Sequence, residues 1–210
     1  MQKLLLGLLL FVVVLTACGN DEKPLDNYEI SLAELVANNA GSAVDIGLDD
    51  GSELPLLSPI SGLKADSIYR IQAMYVKTNE NKVRLVDMAS VLAPKVVKYS
   101  VEKKKHDPLD VTTSWLSAHY INFRLAVKGT AKGTHYYGFD QTGYVKHTDG
   151  SRTMVVHLIH NQNNDPLYYT RETYLSLPLR HLNTLLQSGK DPIVLNVTTF
   201  KGEATYKFAL

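Results

Sequence analysis

Tyr120-Ile121-Asn122-Phe123-Arg124-Leu125-Ala126-Val127 is the stretch on which the fold turns. Ile121, Phe123, Leu125 and Val127 take alternate positions, with Tyr120, Asn122 and Arg124 between them. Successive side chains of a strand point to opposite faces, so this period of two predicts a β-strand with one face in a core.

Toward the C-terminus the spacing predicts further strands over 134–139, 153–160, 168–170, 193–200 and 204–209. Asn161 to Pro166 is a turn cluster, and Lys201-Gly202 reads as a hairpin connection. Leu179, Leu182, Leu185 and Leu186 fall at helical spacing before Gly189, which predicts one short helix over 179–187. Antiparallel connections between these strands give a β-sandwich. Toward the N-terminus a strand is expected over 96–101. The run Glu102-Lys103-Lys104-Lys105-His106-Asp107-Pro108 then reads as a solvated connection between two units.

Before that connection lie short strands separated by turns. Asp49-Asp50-Gly51-Ser52 joins a strand over 44–48 to Leu54-Pro55-Leu56-Leu57, because Asp-Gly tolerates positive φ. Tyr69, Ile71, Ala73 and Tyr75 share one face of a strand over 68–76. Asn79 to Lys82 turns the chain into another strand over 83–88. The segment 31–37 is ambiguous, since Leu32, Leu35 and Val36 also fit a helix, and its context makes it a strand. Four or five strands in about 70 residues suit a small barrel.

The first eighteen residues carry an address. Lys3 precedes the apolar run Leu4 to Leu15, and Leu15-Thr16-Ala17-Cys18 looks like the lipobox of a bacterial lipoprotein. Residues 1–17 are thus expected to be a signal peptide, and 18–27 a tether held to the membrane by lipidated Cys18. Several acyl chains hold a protein stably where one does so only marginally. Asp21 and Glu22 resemble the acidic export signal of surface lipoproteins. The expected location is the cell envelope at the outer membrane, on either its periplasmic or its surface side.

Charge sets nucleic acid aside. The chain has 22 basic and 21 acidic residues, and removing Lys3 with the leader balances them, so no basic stripe is expected. Cys18 is the single cysteine, so its lipidation leaves no thiol for a disulfide, a nucleophile or a Cys-based zinc site.

The order of these features resembles the NigD-like lipoproteins of Bacteroidetes. The resemblance is carried by the lipobox, Asp49-Asp50-Gly51, Ile68 to Tyr75, Asp107-Pro108-Leu109-Asp110, Ser114-Trp115-Leu116-Ser117, Tyr120 to Phe123 and Tyr174 to Leu179. It covers essentially the whole mature chain. It implies an all-β protein: an N-terminal OB-like barrel, taken here as 28–95, and a C-terminal β-sandwich, 96–210. It implies no catalytic residues, and by association with a bacteriocin locus it raises a protective role.

No cofactor and no metal is expected from the residues. His157 and His160 are three apart in a strand and so face opposite ways, while His135 and His147 flank tyrosines and read as packed or surface residues. Asp140, Asp149, Asp165 and Glu172 are the carboxylates a hydrolase would have to use, but three lie in turn-like segments where Asp bonds locally. Aromatic residues are the better functional material. Tyr120, Tyr136, Tyr137, Tyr168 and Tyr169 are the candidate binding residues for a protein or glycan partner, and Trp115 is expected in the core where the units meet. The reading is a non-catalytic envelope module, with bacteriocin protection and a carboxylate hydrolase as alternatives.

Overall fold

Residues 27–210 are described by a computed structural model of the chain. The expected leader, Cys18 and the pair Asp21-Glu22 lie outside the described residues. The protein is all-β. Strands β1 (Glu29–Val36), β2 (Ala43–Leu48), β3 (Glu53–Ile60), β4 (Ile68–Lys77) and β5 (Val83–Ser90) close into a barrel in the order β1-β2-β3-β5-β4. The ambiguous first segment is a strand, paired antiparallel to β4 from Glu29↔Tyr75 to Val36↔Ile68. Gly51 turns the first hairpin at φ +87°, a conformation that only glycine adopts cheaply. Alternate residues Ile71, Ala73 and Tyr75 of β4 fill the barrel with Leu35, Ile46 and Val83.

The second unit is two packed sheets. One is three-stranded, in the order β11 (Tyr169–Pro178), β8 (Tyr120–Gly129), β7 (Asp110–Leu116). The other has five strands, in the order β13 (Gly202–Phe208), β12 (Ile193–Thr199), β10 (Arg152–Asn161), β9 (Tyr136–Lys146), β6 (Val96–Val97). Ile121, Phe123, Leu125 and Val127 of β8 are fully buried against Phe139, Val156, Leu195 and Phe208 of the facing sheet. Burying each large side chain contributes about 1.5–3 kcal/mol. The other face of β8 is not simply solvent-facing: Tyr120 and Asn122 are also buried, because the barrel docks there.

Several expectations need correcting. No helix forms over 179–187. The segment is a series of turns closed by Leu182 N–H to Leu179 C=O and Leu185 N–H to Leu182 C=O. The leucine spacing marked a buried face all the same, since Leu179, Leu182 and Leu186 are in the core. The strand expected over 96–101 is only two residues long. Past Val97 the Tyr99 N–H goes to the Asp140 carboxylate at 2.8 Å instead of to a strand backbone, and a 3₁₀ turn follows at Val101–Lys103. The basic run is not merely solvated, because Lys104 pairs with buried Asp140 at 2.9 Å and the His106 ring lies tilted against that of His157, with centroids 4.0 Å apart. Connections are not all antiparallel: β10 pairs with β12, and β6 with β9, in parallel. Strand β7, read only as linker and family-like segment, pairs with β8 from Asp110 to Leu116.

Candidate functional site

The topology gives the molecule two ends. Glu34, late in β1, meets the sandwich through Tyr120 and Arg180, while Glu29 at the start of β1 pairs with Lys77 at the opposite end of the barrel. The chain therefore enters at the barrel pole away from the sandwich. In the sandwich, β8 starts at the barrel and ends at Gly129, opposite Tyr169 at the start of β11. The end of β10 pairs with the start of β9, Asn161↔Tyr136, and Lys128 of β8 lies over the Phe200 ring at 4.9 Å. The tips at 130–135, 162–168 and 200–201 thus gather at the far pole.

Four of the five candidate tyrosines sit at this pole. Tyr168 is 82 % exposed and Tyr136 55 %, with Leu167, Tyr169 and Phe200 also exposed. Tyr168 and Tyr169 contact each other edge to face. Tyr137 is half-buried and stacks on His160 at 5.1 Å, and burial pushes its phenol up to about 12. Lys128, Lys132 and Lys201 are exposed around the apolar residues.

A buried polar chain holds the pole in shape. His160 Nδ1 lies 2.8 Å from the Asp107 carbonyl, His160 Nε2 lies 2.9 Å from His135 Nδ1, and His135 Nε2 lies 3.1 Å from Asp165 Oδ2. The carbonyl and the carboxylate only accept, so His160 donates from Nδ1 to Asp107 and His135 donates from Nε2 to Asp165. Burial pushes His160 below its ordinary value, and the Thr130 hydroxyl and N–H, with His135, hold Asp165 low. Gly133 and Gly129 make room for the Asp165 carboxylate, which a Cβ at either position would strike. Sequence reasoning identified each of these residues singly but not the chain, since residues 107, 135, 160 and 165 meet only through the sheet register.

Tyr120 is elsewhere. It is buried at the junction of the units, where its hydroxyl donates to Glu34 and the Arg70 guanidinium lies 4.1 Å above its ring. Arg180 forks onto Glu34, with Nη2 at 2.6 Å from Oε2. Arg70, almost fully buried, bonds Asp49, Asn122 and Ser176. Burial works against the charged form of Glu34, but Arg180 and Tyr120 outweigh it and hold the carboxyl below its ordinary range. Trp115 is half-buried in the crevice lined by Leu32 and Asp49, with its ring edge-on to Tyr174 at 6.4 Å. It lies where the units meet without being fully enclosed.

The four carboxylates considered for hydrolysis have separate partners. Asp140 pairs with Lys104, Asp149 accepts from Ser151, Asp165 joins the histidine chain, and Glu172 pairs with Arg124. His157 and His160 face opposite sides of β10, the first against His106 and the second inward. Among the described residues no group of three or more His, Asp, Glu or Cys is placed to hold a metal ion.

Residues 94–210 match the NigD-like C-terminal beta sandwich domain. No curated protein matches the chain. Among solved structures, a NigD-like immunity protein from Bacteroides caccae superposes with a TM-score of 0.63 at 23 % identity, covering 86 % of this chain and 91 % of that one. A protein from Parabacteroides distasonis named as toxin-related gives 0.68 at 18 % identity, over 87 % and 92 %. One from Bacteroides fragilis named as a lipoprotein gives 0.62 at 13 %, over 86 % and 96 %. At these identities the likeness concerns the fold.

Proposed function

The chain belongs to the NigD-like family, and from that premise we propose that it is a non-catalytic, envelope-anchored lipoprotein whose far pole binds a protein partner. The observation that carries this reading is the gathering of Tyr136, Leu167, Tyr168, Tyr169 and Phe200 at the pole opposite the one where the chain enters. A tether from lipidated Cys18 would leave that pole facing away from the membrane. Exposed aromatic residues supply large rigid contact area at low entropic cost. Exposed Leu167 suits a protein surface better than a sugar ring, and Lys128, Lys132 and Lys201 suit one with an acidic rim. The barrel, read as OB-like, acts as a spacer and dock for the sandwich. Anchoring in the outer membrane belongs to the same reading, supported by the lipobox and by a structural neighbour named as a lipoprotein.

A photo-crosslinking side chain placed at Tyr168 in cells tests this, with one at exposed Val44 of the barrel as control. A discrete adduct from position 168, absent from 44 and lost on Tyr136→Ser, is expected. Equal labelling at both positions, or none at 168, sinks the reading. The double substitution Tyr136→Ser and Tyr168→Ser should change folding stability by no more than about 0.5 kcal/mol per site, as surface changes usually do.

A second reading is protection against a bacteriocin, favoured by the neighbour named as an immunity protein. It uses the same pole and adds one outcome: cells lacking the protein become sensitive to a toxin of neighbouring strains, and the pole variants fail to restore resistance.

A further inference from the structure

Beside Tyr120, where the barrel meets the sandwich, lies a half-open cavity of about 440 Å³ lined by Ile68, Arg70, Ala93, Lys95, Tyr120, Pro178, Arg180 and His181. Small-molecule sites favour such inter-unit positions and volumes of roughly 300–1,000 Å³, with mostly apolar walls and a few convergent polar groups. This lining has that character. Ile68, Ala93, Pro178 and the Tyr120 ring form the apolar part, while three permanent cations and one imidazole form the rest. No carboxylate lines it. Glu34 and Asp49, the counter-ions of Arg180 and Arg70, line instead a second cavity of about 140 Å³ that shares Arg70, Tyr120 and Arg180 with the first.

The charge balance inside the larger cavity can be drawn up residue by residue. Arg70 is neutralised by Asp49 and Arg180 by Glu34. Lys95 has no ion pair among the described residues and stands exposed at the rim. His181 Nε2 accepts the Val96 N–H at 3.2 Å, which places the proton of the neutral ring on Nδ1 and leaves that group as a donor. One uncompensated positive charge, a spare ring donor and an apolar wall describe the receptor for an amphipathic monoanion.

We infer that this cavity binds an organic carboxylate with an apolar body, its carboxylate against Lys95 and His181 and its body along Ile68, Ala93 and Pro178. The inference is independent of what the far pole does, since it uses none of the same residues. The carboxylate could come from a free fatty acid or from the C-terminus of a peptide, and the two share the recognised chemistry.

Calorimetric titration of the purified protein with sodium octanoate, N-acetyl-leucine and octan-1-ol tests it. Saturable one-to-one binding of a carboxylate is expected, weakened at least tenfold by Lys95→Glu and retained by Lys95→Arg. Ala93→Phe, which fills the cavity without touching its charge, should weaken binding by a similar factor while the thermal midpoint stays within a few degrees. Tighter binding of octanoate assigns the site to fatty acids, and tighter binding of N-acetyl-leucine to chain termini. Equal affinity for octanoate and octan-1-ol, indifference to Lys95→Glu, or no saturable binding of either carboxylate overturns the inference.

Discussion

His160 shows how one residue's setting reaches the whole protein's stability. It is buried, stacked on Tyr137 and committed to Asp107 and His135, and burial pushes it below its ordinary value. Burial likewise lowers His181, with Lys95 adding to it, and lowers His157, with His106 adding to it. The folded state therefore keeps these three rings neutral at pH values where the unfolded chain already takes up protons. Their contribution is fully present above the unfolded value of about 6.5 and is lost progressively as pH falls below it. Glu34 and Asp165 have the depressed values usual for bonded carboxylates, so their contribution is lost only at lower pH, below the unfolded value of about 4. The urea midpoint should accordingly fall between pH 7.5 and pH 5, then fall again more steeply toward pH 3. A midpoint that is flat or rises over the first interval would show that the rings are not held neutral. None of this was legible in the sequence, where seven histidines are simply scattered along the chain. Burial and partnership are properties of the folded register.

At the scale of elements, what could be read depended on how local the signal was. Strand β8 was legible because its alternation sits inside ten consecutive residues, and Ile121, Phe123, Leu125 and Val127 are all buried. The first hairpin was legible because Gly51 supplies the positive φ that the turn demands. The segment 179–187 misled, because leucines at helical spacing mark a buried face without specifying what backbone presents it. Here Pro178 completes β11, and the Asp191 carboxylate accepts the Gln187 N–H at 3.0 Å, so the chain is pinned at both ends and spans the gap in turns. Substitution separates the two roles. Leu182→Ala should cost about 2–5 kcal/mol as a buried truncation, whereas Leu185→Ala, at a position 41 % exposed, should cost no more than about 0.5 kcal/mol. Chemical denaturation of the two variants measures both, and equal costs would contradict the buried-face account. Strand β7 was missed because its β-branched run Val111-Thr112-Thr113 is short and half-exposed, and β8 supplies the pairing that makes it a strand.

For the molecule as a whole, the junction decides whether two units behave as one. Arg70 reaches from β4 of the barrel to Asn122 and Ser176 of the sandwich, and Arg180 reaches back to Glu34 of β1. Removing one partner of a buried charged network costs about 3–5 kcal/mol, because the groups left behind lose their compensation. Arg70→Ala should therefore lower the stability of the docked form by that order. It should also split a single unfolding transition into two, one for each core, when barrel and sandwich are followed by separate probes. A transition that stays single and unshifted would show that the junction does not couple them. The sequence by itself determined the all-β class and the order of barrel and sandwich: alternating apolar residues and turn glycines are local signals that need no partner to be read. Only the tertiary structure decided which tyrosines face outward, which histidines share protons, and that Tyr120 is a junction residue. Burial and pairing arise from residues as far apart as Glu34 and Arg180, and which of them meet is set when the barrel docks on the sandwich.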